Sequence, residues 1–257
     1  MLALISPAKK LDFETDSALA AYSQPAFLDR TEKLVKSARK LSRAQLASTM
    51  NLSDKLAELN YQRFRDFTTP FDLCNAKQAA LVFNGDTYVG LEAKSLSAND
   101  MTYAQEHLRI LSGLYGILRP LDLIQPYRLE MGAKFRAPGN TDLYGFWNGQ
   151  LAGAIDAAVA GHKDKTVVNL ASNEYFKAVD AKKLNAPVIT PVFKELKDGE
   201  SRVIGMFAKR ARGAMARFMI RKRIETPDGL KKFSDGGYKF RPGLSDDNTW
   251  VFTRPQP

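Results

Sequence analysis

The sequence predicts one α/β domain of the mixed α+β type, in which a mixed sheet is flanked by helices. Strand-like apolar runs and amphipathic helical stretches follow one another without the strict alternation of a purely parallel fold. The chain has 257 residues, of which 44% are hydrophobic, which is enough for one large core. It contains no repeat, low-complexity tract or Gly/Ser linker at which it could divide. We therefore treat residues 1–257 as a single domain.

The first half of the chain is predicted to be mainly helical. Ser42 and Ser53 stand where helix N-caps are expected, and Asn99 or Asp100 can cap a later helix. We therefore expect helices at about 25–41, 43–50, 53–66 and 99–111, and strands at 2–5 and 79–84, the last running into a turn at Gly85-Asp86.

The second half is predicted to contain more strands. Asp198-Gly199 lies between two β-rich runs and is typical of a hairpin turn. Gly161 is expected to end a helix at about 145–160. The other expected elements are strands at 166–172, 187–193 and 202–207, a helix at about 208–224, a short helix from Pro227, and closing strands in "YKF" and "TWVF".

Composition and charge limit the function classes. No run approaches the roughly 20 apolar residues of a membrane span, and the N-terminus "MLALISPAKK" has no basic region before an apolar run that is too short for a signal peptide. The single cysteine, Cys74, excludes an internal disulfide framework, so we expect a cytoplasmic protein. The formal net charge of +10 favours anionic partners.

The segment "ILSGLYGILRP" is the first candidate anion site. Gly113 and Gly116 can adopt positive φ angles and let a partner approach the backbone closely. Following a predicted helix, this stretch is similar to the hairpin of the helix-hairpin-helix motif, whose backbone amides hold DNA phosphates. It departs from that motif because two residues separate the glycines, and because Pro120 limits the second helix. The alternative is an ordinary helix C-cap followed by a turn.

The predicted helix "FAKRARGAMARFMIRKRI" is the second candidate. From Arg202 to Ile224 there are eight basic residues and no acidic one, whereas solvated helices usually mix the two signs. Gly213 and Ala216 form a small strip between the cations, which we expect to let an anionic backbone approach. An anion-binding surface is favoured over a merely solvated basic face.

Polar turns after predicted strands form the third candidate. In "LISPAKK", Lys9 and Lys10 follow the first strand, a common ligand position in α/β sheets. "FNGDTYVGL" offers Asp86 and Tyr88, and "NLASNEYFK" offers Asn169, Ser172, Glu174, Tyr175 and Lys177. With His107, His162 and Cys74 as the only residues of their types and no CxxC or HExxH motif, zinc and haem sites of the usual kind lack ligands, and no cofactor is expected.

The sequence resembles the bacterial YaaA family of peroxide stress resistance proteins over essentially the whole chain. The matching segments include "LISPAK", "GDTYVGL", "LRILSGLYGILRPLDLIQPYRLEMG", "LYGFW", "NLASNEYFK", "AKRARGAMARFMI" and the closing "GYKF" and "WVFTR". The resemblance implies cytosolic proteins that limit hydrogen peroxide damage, lower free iron and bind DNA through a helix-hairpin-helix element in an unusual mixed α/β fold.

Three hypotheses follow. The favoured one is a DNA-binding stress protein, monomeric and selective for DNA shape rather than sequence, whose effect on iron is indirect. Its contact residues are expected to be Lys9, Ser112, Gly113, Tyr115, Gly116, Arg119, Arg128, Lys209, Arg210, Arg212 and Arg217.

The second hypothesis is an enzyme acting on the phosphate of a nucleotide or nucleic acid. Lys9, Arg128 and Lys209 would bind the phosphate, and Asp86, Glu130 or Glu174 would act as general base or hold Mg²⁺. The third hypothesis is iron sequestration by carboxylates, since the His and Cys ligands are lacking. No catalytic residue is assigned.

Overall fold

The structure is a computed structural model that describes residues 1–15 and 19–257. The helices, in chain order, are α1 (Leu28–Ala38), α2 (Arg43–Met50), α3 (Asp54–Asp66), α4 (Ala79–Val82), α5 (Asp86–Leu91), α6 (Ala98–His107), α7 (Leu143–Trp147), α8 (Gln150–Val159), α9 (Asn173–Phe176) and α10 (Gly205–Lys222). Among these described residues, no helix has the length and apolar character needed to cross a membrane.

Most strands are short, and the two longest lie in the C-terminal part of the chain. They are β1 (Leu2–Ile5), β2 (Lys10–Leu11), β3 (Lys77–Gln78), β4 (Phe83–Asn84), β5 (Leu108–Ser112), β6 (Gly116–Leu118), β7 (Leu123–Ile124), β8 (Val167–Asn169), β9 (Val188–Lys197), β10 (Glu200–Arg202), β11 (Lys239–Phe240) and β12 (Thr249–Pro255).

One mixed sheet organises the molecule. Its order is β11-β12-β9-β8-β1-β5-β6, and β10 pairs with β9. Strand β1 is parallel to both neighbours, with Leu4 opposite Arg109 on one side and Asn169 on the other. The pairs β5–β6, β9–β10 and β11–β12 are antiparallel. All four residues of β1 are buried, as expected for a central parallel strand that is covered on both faces. The predicted α/β class with a mixed sheet and flanking helices is confirmed.

Several local predictions are also confirmed. Ser42 caps α2 in a reciprocal capping box with Gln45. Asp198 and Gly199, with φ of 52° and 79°, form the turn between β9 and β10. Ser53 occupies the N-cap position of α3 but makes no capping hydrogen bond through its side chain. These features depend on side chains and backbone conformations that act over two or three residues.

Other local predictions are wrong. Residues 79–84 form the short helix α4 and only two strand residues, and residues 205–207 begin α10 rather than continuing a strand. The helix expected to reach Leu111 ends at His107, and Ser97 rather than Asn99 or Asp100 is its N-cap residue. The next residues form β5, which pairs with β1. A short apolar run fits a buried strand as well as a buried helix, and pairing in the sheet decides between them.

Candidate functional site

A crevice opens at the carboxyl ends of the neighbouring parallel strands β1 and β8. From β1 the chain runs on to β5 at one side of the sheet, whereas from β8 it runs on to β9 at the other side. The two loops that leave these strands therefore separate above the sheet, which is where α/β proteins place ligands. They are joined at their base, because the backbone N–H of Ser172 donates to the Oγ of Ser6 at 2.9 Å.

Short elements tie down the remaining walls. Strand β2 begins at Lys10, directly after the loop that follows β1, and pairs with β4. Strand β4 then leads through Gly85 into α5, so that both segments border the same space. The crevice has a volume of about 520 Å³, which lies in the range of small-molecule sites. It is lined by Ser6, Pro7, Ala8, Lys9, Lys10, Asn84, Gly85, Asp86, Thr87, Tyr88, Tyr127, Arg128, Leu129, Glu130, Leu170, Ser172, Glu174, Tyr175, Lys209 and Arg212.

Three tyrosines give the crevice an aromatic wall. Tyr88, Tyr127 and Tyr175 are all buried residues. The hydroxyl of Tyr88 donates to the carbonyl oxygen of Ser6 at 3.1 Å, and that of Tyr127 is hydrogen-bonded to the Oγ of Ser112 at 2.7 Å. Burial raises the pKa of each tyrosine well above its ordinary value, so all three are neutral at physiological pH. They offer flat apolar surface with polar edges.

Carboxylates contact three of the cations around the crevice, Lys9, Arg128 and Arg210. Glu130 lies 3.1 Å from the Nζ of Lys9 and 3.2 Å from a guanidinium nitrogen of Arg128. At the rim, Arg210 lies 3.4 Å from Asp86. A Glu174 carboxylate oxygen accepts from the backbone N–H of Gly132 at 2.9 Å. These contacts fix the positions of the charged groups without a ligand.

Arg212 differs from the other cations at this site because it combines partial burial with the lack of a partner among the described residues. It is half-buried and lines the crevice, yet it has no hydrogen bond or ion pair within the described part of the chain. Burial lowers the pKa of Arg212, and no carboxylate opposes that effect. An arginine remains protonated even so. A half-buried positive charge without a partner therefore faces the crevice.

Close packing of α10 against α5 places Arg212 there. A β-carbon on Gly213 would lie 1.8 Å from the carbonyl oxygen of Thr87, and one on Gly90 would lie 2.0 Å from that of Arg210. The two helix backbones are thus in direct contact. The expectation that Gly213 and Ala216 form an exposed strip for an anionic backbone is wrong, because both are buried and Gly213 lies against α5.

Arg217 is also engaged within the protein. Its guanidinium donates to the carbonyl oxygens of Leu91 and Glu92 at 3.1 and 3.0 Å, and 14% of its side chain is exposed. Those carbonyls lie at the C-terminal end of α5, where helix acceptors lack intrahelical donors. The prediction that Arg217 contacts DNA is corrected on this ground: its donors already cap a helix.

The helix-hairpin-helix prediction is wrong. Residues 108–118 form the antiparallel strands β5 and β6, and Gly116, with a φ of 73°, ends the tight turn between them. The side chain of Ser112 organises this turn by accepting from the backbone N–H of Tyr115 at 3.0 Å. The glycine spacing therefore serves a β-hairpin inside the sheet.

Burial removes the hairpin residues from any DNA surface. Ser112, Gly113, Tyr115 and Gly116 are all buried. The indole N–H of Trp147 donates to the carbonyl oxygen of Gly113 at 3.0 Å, and the hydroxyl of Tyr115 accepts from the backbone of Gln125. Their assignment as DNA contacts is corrected, because phosphates cannot reach amides that lie in the core.

Arg119 is held by a buried acid. Its Nε donates to a carboxylate oxygen of Asp122 at 3.1 Å, and a second nitrogen donates to the carbonyl oxygen of Gln24 at 3.2 Å. Asp122 is 1% exposed. Arg119 therefore neutralises a charge of the protein itself, and its contact with DNA stays a prediction.

The remaining predicted residues converge on the crevice. Lys9, Arg128, Lys209 and Arg212 line it, and Arg210 lies at its rim through Asp86. The carboxylates of the enzyme hypothesis, Asp86, Glu130 and Glu174, line the same space. Sequence reasoning missed Tyr127, Asn84 and Leu129. The position of Tyr127 next to Arg128 could have indicated that it lies at the site. Its orientation, however, depends on the hydrogen bond to Ser112, which the sequence does not show.

The carboxylates that the structure describes do not form a metal centre. Within residues 1–15 and 19–257, no group of three or more His, Cys, Asp or Glu side chains is arranged to hold a metal ion. We therefore propose no carboxylate iron site.

Comparisons with known proteins find similar sequences over nearly the whole chain. The family model described as "Peroxide stress protein YaaA" matches residues 1–244. A UPF0246 protein of Dechloromonas aromatica (strain RCB) is 52% identical over 254 residues, covering 99% of each chain. A UPF0246 protein of Alteromonas mediterranea is 52% identical over 256 residues, covering 100% of this chain and 99% of its own. A UPF0246 protein of Burkholderia orbicola is 50% identical over 256 residues, covering 99% of this chain and 98% of its own.

Proposed function

The chain belongs to the family of the peroxide stress protein YaaA, and from this premise we propose that it serves the peroxide response by binding DNA. The phosphate backbone would lie across the mouth of the crevice and contact Lys9, Lys209 and Arg210. Reduced oxidative damage would follow from shielding of the DNA, and the lower free iron would be an indirect consequence.

The observation that carries this proposal is the state of the cations on α10. Lys209 is exposed and forms no ion pair with any described residue, and Arg210 has only a 3.4 Å contact with Asp86. Lys9 and Lys10 line the same crevice and are also exposed. Such exposed cations gain free energy from phosphates through release of counterions.

No feature of α10 resembles a base-reading helix. Its exposed side chains near the crevice are cations, which hold phosphates without reading sequence. We therefore expect affinity to depend on DNA shape rather than on base sequence.

The test is fluorescence anisotropy with labelled duplex, single-stranded and branched DNA across a salt series. Replacing Lys209 and Arg210 with Ala should weaken binding and reduce the salt slope by about one unit for each phosphate that the protein no longer neutralises. The matched control is the Lys163→Ala/Lys165→Ala protein. It removes two exposed cations just before the amino end of β8, opposite the crevice.

The outcome distinguishes DNA binding at a defined surface from nonspecific attraction by the net positive charge of the protein. An equal loss of affinity in both double variants would mean that a +10 protein attracts a polyanion without a defined surface. A loss confined to the α10 variant supports the proposal.

A second candidate function is an enzyme that acts on a nucleotide or nucleic-acid phosphate. The observation that favours it is the presence of Asp86, Glu130 and Glu174 in the same crevice as Lys9, Arg128 and Lys209. Carboxylates beside phosphate-binding cations suit general base catalysis. Incubation with nucleotides and Mg²⁺, followed by product analysis, tests this; absence of any turnover by the wild-type protein would dismiss it.

A further inference from the structure

The partner of Arg212 is the open question at the crevice. Every other described arginine that is not exposed has at least one acceptor; Arg109, for example, donates to the carbonyl oxygens of Gln105 and Leu108. A charge withdrawn from water without a partner is unfavourable. Arg212 is therefore the group in this crevice that gains most from a bound anion.

The charge of the lining indicates how negative that anion is. Lys9, Lys10, Arg128, Lys209 and Arg212 are cationic, and three carboxylates oppose them, which leaves a net charge of +2. Glu130 already satisfies Lys9 and Arg128 in part. The excess positive charge therefore lies on Lys209, Lys10 and Arg212. A net charge of +2 would be balanced by a ligand that carries two negative charges.

The shape of the crevice indicates what carries the charge. A volume of about 520 Å³ is far larger than a bare phosphate requires. The neutral tyrosines Tyr88, Tyr127 and Tyr175, with Leu129 and Leu170, form an apolar wall. Aromatic side chains of this kind pack against sugars and bases. The ligand is therefore an anion joined to a flat or apolar organic group.

We propose that the crevice binds a phosphomonoester on a nucleotide-sized group, and that Arg212 is its anchor. Two sources share this chemistry: a free nucleoside monophosphate, and the phosphorylated end of a DNA strand. In its DNA-end form the inference rests on the proposed function. A phosphate inside a DNA strand fits less well, because it carries one negative charge and the strand continues on both sides of it.

Isothermal titration calorimetry distinguishes the sources. The probes are deoxyadenosine, its 5′-monophosphate, and a short duplex with either a 5′-phosphate or a 5′-hydroxyl end. We expect the monophosphate to bind at least tenfold more tightly than the nucleoside. If DNA ends are the source, the 5′-phosphate duplex should also bind at least tenfold more tightly than its 5′-hydroxyl twin.

Two variants test the anchor. Arg212→Gln should weaken binding of the phosphorylated probes by at least tenfold, as expected for loss of a charge-assisted hydrogen bond. Arg221→Gln removes an exposed arginine of the same helix and should leave that binding within twofold. Because Arg212 has no partner among the described residues, the thermal midpoint of Arg212→Gln should not fall, so weaker binding by this folded variant is interpretable.

The two proposals fail separately. Duplex binding that ignores the 5′-phosphate, with no preference for the monophosphate over the nucleoside, would overturn the phosphomonoester site and leave the DNA proposal standing. Binding of the monophosphate without binding of any duplex would support the site and remove the DNA proposal. Equal losses of affinity in Arg212→Gln and Arg221→Gln would overturn the role of Arg212.

Discussion

Gly213 and Thr87 are in contact backbone to backbone where α10 crosses α5, since a β-carbon on Gly213 would lie 1.8 Å from the carbonyl oxygen of Thr87. No side chain fits between the two helices at this point. The contact sets the position of α10, and with it the position of Arg212 at the crevice.

Gly213→Ala should therefore destabilise the protein. The added methyl group forces the helices apart, and overpacking of this kind costs roughly 1–3 kcal/mol or more. Urea unfolding monitored by circular dichroism measures the change in the free energy of unfolding. The control is Gly205→Ala at the start of α10, where an added β-carbon meets no atom within 4 Å. Equal stability of the Gly213→Ala and wild-type proteins would contradict the close contact.

Arg217→Ala should lower stability rather than DNA affinity. The change leaves the carbonyl oxygens of Leu91 and Glu92 without their donor, and losing a charged hydrogen bond costs about 1.5–3 kcal/mol. Thermal unfolding and anisotropy on the same samples separate the two effects. Arg221→Ala, which removes an exposed cation of the same helix, serves as the control. A large, salt-dependent loss of DNA binding in a fully stable Arg217→Ala protein would restore the DNA contact.

Arg119→Ala should make stability more sensitive to pH. Burial raises the pKa of Asp122 above its ordinary value, while hydrogen bonds from Ser23 and Arg119 oppose that rise. Without Arg119 the pKa rises further. The folded state then holds a proton that the unfolded state releases, so stability falls as pH increases from about 4 towards 7.

Urea unfolding at pH 4.5 and pH 7.5 checks this prediction. Because Arg119 is partly exposed, we expect a loss of only about 1–2 kcal/mol at the higher pH and a smaller loss at the lower one. Asp122→Asn in the Arg119→Ala background should remove the difference between the two pH values. The same loss at both pH values would contradict the proposed coupling between Arg119 and the titration of Asp122.

His162 should make the fold sensitive to acid. Burial, followed by the positive charges of the N-terminus, His107 and Arg109, lowers the pKa of His162 to about 4. Its Nδ1 has no hydrogen-bond partner among the residues that the structure describes. The unfolded chain takes up a proton near pH 6.5, before the folded chain does. The stability that neutral His162 contributes to the folded protein is therefore complete above about pH 6.5 and is lost as the pH falls towards 4.

His162→Gln removes this titration. The free energy of unfolding of the variant, measured by urea titration at half-unit steps, should change less between pH 6.5 and 4 than that of the wild-type protein. His107, which stacks on His162 with the ring centroids 4.4 Å apart, is retained in this variant. Parallel pH profiles of the variant and the wild-type protein would exclude His162 as the cause.

Residues 108–118 show the limit of reading this sequence locally. This segment has two glycines three positions apart, apolar residues before them and arginines nearby. That pattern fits a helical hairpin as well as a β-hairpin. Pairing of β5 with β1 decides the matter, because it satisfies the backbone groups of a fully buried segment. The peptide groups that looked available for phosphate are then used inside the sheet.

The sequence by itself determined the mixed α/β class, the capping of α2 by Ser42, the turn at Asp198-Gly199 and the basic, acid-free character of α10. Each follows from composition or from interactions between residues close in sequence. Tertiary structure alone decided which cations are free to bind a ligand. Arg212 and Arg217 lie on one helix in the same basic run. Arg217 caps α5, whereas Arg212 faces the crevice without a partner in the described part of the chain. The reason is physical: a side chain's available donors depend on the acceptors that packing brings to it, and those acceptors come from distant parts of the chain.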